Sequence, residues 1–288
     1  MMDTFNRYWR IAANKVQQLY RLAYLHFLTR FFETIVVIEY PKSGGTWLGQ
    51  LVSGYTGVSF PRNRFFLPGK VLLHGHYPPG RWIANTRATL WLVRDGRDVM
   101  VSHYHHTLLW NDRNRKSPAL ILSTRRSVPF DDYENIRKNL PVFIRYMHEH
   151  QPSRLTHFTY AGNWTSYQES WLSATKRYGN RITRTSYEAL SADTEAELKR
   201  ILSESGLERN PDPNRVREIV ERFSFERQTG RKRGVADEKS FLRKGVPGDW
   251  VNHFTREAGQ VWESFSGTMM RKLGMESSVD WYTTLPEE

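Results

Sequence analysis

From Thr34 to Tyr40 the chain reads Thr-Ile-Val-Val-Ile-Glu-Tyr, a β-branched run without polar alternation that ends at Pro41. Such a run predicts a strand buried on both faces, which a parallel sheet requires. Shorter apolar runs at 70–73, 89–93 and 181–185 predict three more strands. Elsewhere apolar residues recur at three- and four-residue steps, predicting helices over 46–54, 98–109, 133–149, 164–178, 194–205, 213–222 and 255–273. The alternation describes an α/β domain with a central parallel sheet flanked by helices, and the chain contains no internal repeat.

Ahead of the first strand, Trp9, Ala12, Val16, Leu19, Tyr20, Ala23 and Phe27 follow the same helical steps, with Arg7, Arg10, Lys15 and Arg21 mostly elsewhere on the wheel. Residues 1–33 therefore read as an amphipathic basic helix and 34–288 as the domain proper. The helix either covers one face of the fold or rests on an anionic membrane surface in peripheral contact, and the residues leave both open. Arg21, His26, Arg30 and Glu33 break the apolar stretch 20–40, so it is neither a membrane span nor a cleavable signal. Segments 111–132 and 224–252 are polar, rich in Arg, Gly and Pro, and longer than ordinary connections; each is a candidate lid over a ligand.

Composition narrows the ligand. With 288 residues, 39% of them hydrophobic, the chain builds a sizeable core, which excludes disordered, collagenous and mini-protein classes. Its 42 Lys and Arg against 30 Asp and Glu leave a net charge of +12, which favours nucleotides, phosphate or sulfate esters, nucleic acid or an acidic membrane as partners. The absence of cysteine excludes a disulfide framework and a thiol nucleophile, and it suits a reducing compartment, the cytoplasm being the expected location.

Three segments carry candidate chemistry. Tyr40-Pro-Lys-Ser-Gly-Gly-Thr-Trp47 follows the first strand: Gly44 and Gly45 let backbone amides approach an anion, Thr46 opens a helix, and Lys42 and Ser43 add donors. It is a phosphate cradle but not the Walker pattern, because Lys42 precedes the turn. In 90–102 a strand ends at Arg94, whose planar fork suits a phosphate, and Ser102 follows two helical turns later; Asp95 and Asp98 are alternative partners for that arginine. Finally, 241–255 is a basic, Gly-containing loop with Trp250 and Phe254.

In this order the three segments resemble those of the cytosolic-type sulfotransferases, enzymes that use 3'-phosphoadenosine 5'-phosphosulfate (PAPS) and release 3'-phosphoadenosine 5'-phosphate (PAP). The family's loop Tyr-Pro-Lys-Ser-Gly-Thr-Thr-Trp is reproduced at 40–47 except that Gly45 replaces the first Thr, and the signature Arg-Lys-Gly-x-x-Gly-Asp-Trp stands complete at 243–250. The likeness runs from Ile35 to Met275, with a dissimilar stretch from Thr107 to Pro141, and Gly162-Asn-Trp164 is similar to the family's Gly-x-Trp helix start. It implies a single P-loop-like α/β domain with the sulfotransferase fold. It also implies that PAPS is held by Lys42, Ser43, Gly44, Gly45, Thr46, Trp47, Arg94, Ser102, Arg243, Lys244 and Gly245, with Tyr187 beside the adenine and Phe225 stacked on it opposite Trp47.

By the same resemblance Lys42 meets the leaving phosphate, and His76 of Leu73-His-Gly-His-Tyr-Pro78 is the base that deprotonates an acceptor hydroxyl. An imidazole suits that task because its ordinary pKa lies near 6.5. His74 stands where the family usually carries a lysine. His103, His105 and His106 share helix faces, but no carboxylate lies at zinc-site spacing and the chemistry needs no metal. The run Arg231-Lys-Arg233 reads either as a solvated loop or as a recruiter of the anionic donor. Phe65, Phe66, Tyr77, Tyr104, Trp110 and Phe130 either line an apolar pocket for a small-molecule or lipid-like alcohol or phenol, or finish the core.

Two other classes share part of this pattern. A P-loop phosphotransferase would want a Mg²⁺ carboxylate at a strand end, where Glu39 is the only acidic residue. A nucleic-acid-binding module would use the charge, but no helix-turn-helix, RNA-recognition or zinc-finger pattern is present, so no nucleic-acid partner is expected. Oligomeric state is not encoded in any motif.

Overall fold

The computed structural model describes residues 2–62, 64–112, 114–116, 118–150, 162–240 and 242–288, and only the backbone of 2–12 and 116. The side chains of Arg7, Trp9, Arg10 and Ala12, and all of Phe241, thus lie outside the described residues.

The chain begins with α1 (Met2–Ala23), which passes into a π-helical turn at Tyr24–Leu28. The strand β1 (Thr34–Glu39) leads into α2 (Gly45–Thr56), and β2 (Val71–Gly75) and β3 (Ala88–Val93) follow. After β3 come α3 (Gly96–Thr107), α4 (Ala119–Ser127), α5 (Ile136–Glu149) and α6 (Trp164–Tyr178). Then β4 (Ile182–Ser186) runs directly into α7 (Tyr187–Ala192), with α8 (Thr194–Glu204), α9 (Pro213–Arg222) and α10 (Phe225–Thr229) beyond. The last helices are α11 (Arg256–Trp262) and α12 (Thr268–Lys272), joined by a π-helical turn at Glu263–Gly267.

All four strands are parallel, in the order β2-β1-β3-β4. Every residue of β1 is buried, as its β-branched run requires. Successive side chains alternate between two cores: Ile35 and Val37 join Leu48, Leu51, Leu90, Leu198 and Ile219 on the α2, α8 and α9 side, while Val36 and Ile38 join Trp91, Val99, Phe143, Trp171 and Trp262 on the other. Each such fully buried side chain contributes on the order of 2 kcal/mol. The chain moves from β1 outward to β2 and then back across to β3, so the strand order reverses between β1 and β3. Ligands of open parallel sheets bind at the carboxyl ends of the strands beside such a reversal, because the loops there diverge and leave a crevice.

One expectation is corrected: the predicted helix 255–273 is interrupted by a π-helical turn. The segments 111–132 and 224–252, read as candidate lids, contain α4 and α10. The N-terminal helix also presents an unexpected face. Gln17, Arg21, Tyr24 and Leu25 are buried, whereas Val16, Leu19 and Phe27 of the apolar stripe are 56%, 48% and 60% exposed. Arg21 turns inward because the carbonyls of Arg62 and Arg64 accept its guanidinium, which anchors the helix by a polar contact and leaves much of the stripe in solvent. No described helix is long and apolar enough to cross a membrane.

Candidate active site

The loop between β1 and α2 is shaped by two left-handed residues. Gly44 has φ 103°, and a Cβ there would lie 2.8 Å from the Tyr187 ring, so only glycine lets the loop pass beneath that tyrosine. Lys42 has φ 74° without being glycine, a strain of about 1–2 kcal/mol of the kind held at functional turns. Ser43 is fully buried, and its hydroxyl has no hydrogen-bond partner among the described residues. Neither has the buried Nε of Arg94 at the end of β3. Orphaned buried donors are rare because each forgoes its solvation, and two of them beside a helix N-terminus suit a phosphate.

Tyr187 gathers this half of the site. Its ring packs edge-on against Trp47 with centroids 5.9 Å apart, and the Arg94 guanidinium lies 4.2 Å over it. Arg94 also donates to the Lys42 carbonyl (3.2 Å) and pairs with Asp98 (3.4 Å), the partner that the sequence offered as an alternative to a phosphate. Trp47 is held by its own Nε1–H, which donates to the Phe223 carbonyl (3.1 Å). Ser102 stands half-buried on α3, two turns from the β3 end.

The basic loop docks onto the same edge. Asp98 accepts the main-chain N–H groups of Gly248 (2.7 Å) and Trp250 (3.0 Å), so one buried carboxylate on α3 ties Arg94 to the Gly-Asp-Trp turn. Asp249 binds Arg243, Lys244 and His253. Burial pushes its carboxyl up, but those three hydrogen bonds together hold it far below the usual carboxylate range. Gly245, φ 71°, lies against Phe225, where a Cβ would sit 2.4 Å from the ring. Arg231 donates to the Arg243 carbonyl (2.8 Å) and Arg233 to that of Gly245 (3.2 Å). Those two arginines of the charge run therefore brace the loop, a role that neither sequence reading of the run foresaw.

The end of β2 supplies the histidines. His76 Nδ1 lies 2.9 Å from the Glu39 carbonyl. A carbonyl only accepts, so Nδ1 carries the hydrogen and Nε2 keeps its lone pair. Desolvation lowers the His76 pKa, and neighbouring Glu39 offsets this only in part. His74 donates through Nε2 to Glu39 Oε1 (2.9 Å), and Gly45 N–H donates to Glu39 Oε2. Sequence reasoning singled out Glu39 only as the acidic residue nearest a metal-binding position, and the structure instead joins it to His74 and the loop. The parity of the strands could have shown this, since Glu39 shares the face of Ile35 and Val37, and His74 that of Leu72.

The proposed pocket aromatics are mostly core. Tyr77 and Tyr104 are buried, Phe66 packs on Tyr20 and Tyr24, and Phe130 packs on Tyr104 and Tyr133. Phe65 is exposed, and Trp110 lies beneath Arg125. No cluster of three or more metal-ligating side chains occurs among the described residues.

Comparison with known proteins finds one family and its fold. A family model described as "Sulfotransferase domain" matches residues 73–274. Mouse sulfotransferase 1B1 is 25% identical over 287 residues, covering 85% of each chain. Among solved structures, mouse sulfotransferase SULT7A1 complexed with PAP superposes with a TM-score of 0.59 at 19% identity, over 84% of this chain and 88% of that one. Retinol dehydratase in a complex with retinol and PAP gives 0.56 at 17% identity, over 85% and 83%.

Proposed function

The chain belongs to the sulfotransferase family, and on that premise we propose that it transfers a sulfuryl group from PAPS to the hydroxyl of an apolar alcohol or phenol. The observation that carries the donor assignment is the pair of orphaned buried donors, Ser43 Oγ in the strained loop at the N-terminus of α2 and Arg94 Nε at the adjacent end of β3, beside Tyr187. PAP in two related folds, and retinol in one of them, support the donor and the acceptor class.

The donor supplies a sulfuryl group on a phosphate leaving group. In the proposed reaction the acceptor oxygen forms the new S–O bond and its proton passes to Nε2 of His76, the nitrogen with the free lone pair. The S–O bond to the bridging phosphate oxygen breaks with its electron pair, and Lys42 meets the charge that develops there. Ser43, Thr46 and the loop amides other than that of Gly45, which Glu39 takes, bind the 5' end, and Arg94, Ser102 and Arg243–Gly245 bind the 3'-phosphate. Arg243 and Lys244 are already drawn together by Asp249, so the pair reaches the phosphate as one preformed cationic unit. Tyr187, Trp47 and Phe225 enclose the adenine.

The exposed stripe Val16, Leu19 and Phe27, continued by Phe31 and flanked by exposed Lys15 and Arg30, supports peripheral contact with an anionic lipid surface. Its apolar side chains would enter the headgroup region while the cations pair with lipid phosphates. Co-sedimentation with phosphatidylserine vesicles but not phosphatidylcholine vesicles, lost in Phe27→Ser/Phe31→Ser, is expected; equal pelleting of wild type and variant would overturn it.

The enzymatic reading is tested by incubating the protein with PAPS and a panel of phenols and long-chain alcohols, and following sulfated product by mass spectrometry. Product that requires PAPS and is not replaced by phosphorylated product with ATP is expected. Phosphoryl transfer from ATP without sulfation would overturn the reading.

A further inference from the structure

A carboxylate is an odd neighbour for a loop that must hold a polyanion, yet Glu39 lies beneath this one, only 4% exposed. It is also an anion: burial pushes its pKa up, but the hydrogen bond and charge of His74, helped by His76 and the Gly45 amide, hold it below the usual carboxylate range. One of its oxygens takes the first amide of α2, that of Gly45, and the other takes Nε2–H of His74. Its main-chain carbonyl takes Nδ1–H of His76. One residue thus fixes both histidine rings, whose centroids stand 5.7 Å apart in an edge contact.

Gly45 completes the unit. Its φ is not positive, so backbone freedom does not explain a glycine there. Space does: a Cβ would lie 2.6 Å from the Glu39 carboxyl carbon and 2.7 Å from His74 Nε2. The loop departs from the sulfotransferase pattern at Gly45, and the strand end departs from it at His74 and the adjoining Gly75. The departures at Gly45 and His74 meet at one carboxylate.

We infer that Glu39, His74 and Gly45 are a single positioning unit of the transfer reaction, in which the carboxylate orients His74 beside the base His76 at the expense of donor affinity. The inference rests on the sulfotransferase reading. Its physical content is a conflict between two uses of one charge. The carboxylate occupies the Gly45 amide, which would otherwise face the donor's 5'-phosphosulfate, and its charge opposes that anion at short range. The same charge holds His74 by its Nε2–H, as carboxylates orient functional imidazoles elsewhere.

Glu39→Gln separates the two uses. Glutamine keeps the shape and loses the charge; with its oxygen on the Gly45 amide, the group that faces His74 is an NH2 donor and cannot accept Nε2–H. PAP is then expected to bind roughly 3- to 30-fold more tightly, the range for a unit charge removed at short distance in a partly solvated site. At saturating PAPS, kcat is expected to fall about tenfold or more, the scale of losses when the orienting partner of a working imidazole is removed. Glu39→Ala/Gly45→Ala, which fills the vacated space with a methyl group, is expected to show the same opposed changes, so a folding defect peculiar to one variant does not decide the matter. Far-UV circular dichroism of each variant confirms that the chain is folded.

The split is what a merely structural residue would not produce, since loosening the site weakens binding and turnover together. Weaker PAP binding alongside lower kcat in both folded variants, or unchanged kcat, would overturn the inference while leaving the enzyme class intact. A wild-type protein that neither binds PAP nor uses PAPS would overturn the enzyme class, and this inference with it.

Discussion

At His76 a single hydrogen bond decides which nitrogen can work. The Glu39 carbonyl takes Nδ1–H, so the Nε2 lone pair is available without any rearrangement. Desolvation lowers the pKa of this imidazole, and a base acts only when unprotonated. The acid limb of kcat/KM should therefore lie below pH 6.5: rate persists as pH falls through 6.5 and is lost only further down, as the folded enzyme's His76 takes up its proton. His76→Ala should lower kcat about 10²- to 10⁴-fold with PAP affinity unchanged. An acid limb above 6.5, or a turnover-competent alanine variant, would show that another group is the base. The place of His76 just past the end of β2 was legible because an apolar run leads into it. The part played by Glu39 was not, because it reads as the last residue of a buried strand, and only folding brings it to His74, 35 positions away.

Among the elements, the helix α3 does more than carry Ser102. Its buried Asp98 accepts two amides of the basic loop and pairs with Arg94, so it couples the end of β3 to that loop. Asp98→Ala should leave those two amides without their acceptor. It should destabilise the protein by about 1–3 kcal/mol, accelerate hydrogen exchange at Gly248 and Trp250, and weaken PAP binding. Unchanged exchange at these amides would show that the loop is held elsewhere. Trp250 is gripped from the other side by Arg97, whose guanidinium lies 3.9 Å over its ring and pairs with Asp95 and Glu276. The four strands were legible because short β-branched or apolar runs bounded by turn and polar residues read as strands. The π-helical turn after Trp262 was not, because an inserted residue in a helix leaves the three- and four-residue spacing almost intact. The helix α1 was legible as an amphipathic element but its buried side was not: periodicity marks an apolar face but not the side on which Arg21 finds its carbonyls.

Over the whole molecule, residues from four distant stretches converge on one edge of the sheet. The order β2-β1-β3-β4 puts the phosphate loop and Arg94 on adjacent strands at the reversal, β4 delivers Tyr187, and the C-terminal third folds Arg243–Trp250 back over them. The net charge of +12 anticipated an anionic ligand, but only tertiary structure distributes it, with Arg231 and Arg233 bracing the loop, Arg94 paired with Asp98, and Arg243 and Lys244 paired with Asp249. Calorimetric titration of PAP, beside AMP and ATP, into the wild-type protein and Arg243→Ala tests that convergence directly. Tight binding that requires the 3'-phosphate and falls at least tenfold in the variant is expected, the loss typical of a charge-assisted phosphate contact. Equal or better binding of ATP, or an Arg243→Ala protein that binds PAP as the wild type does, would contradict it.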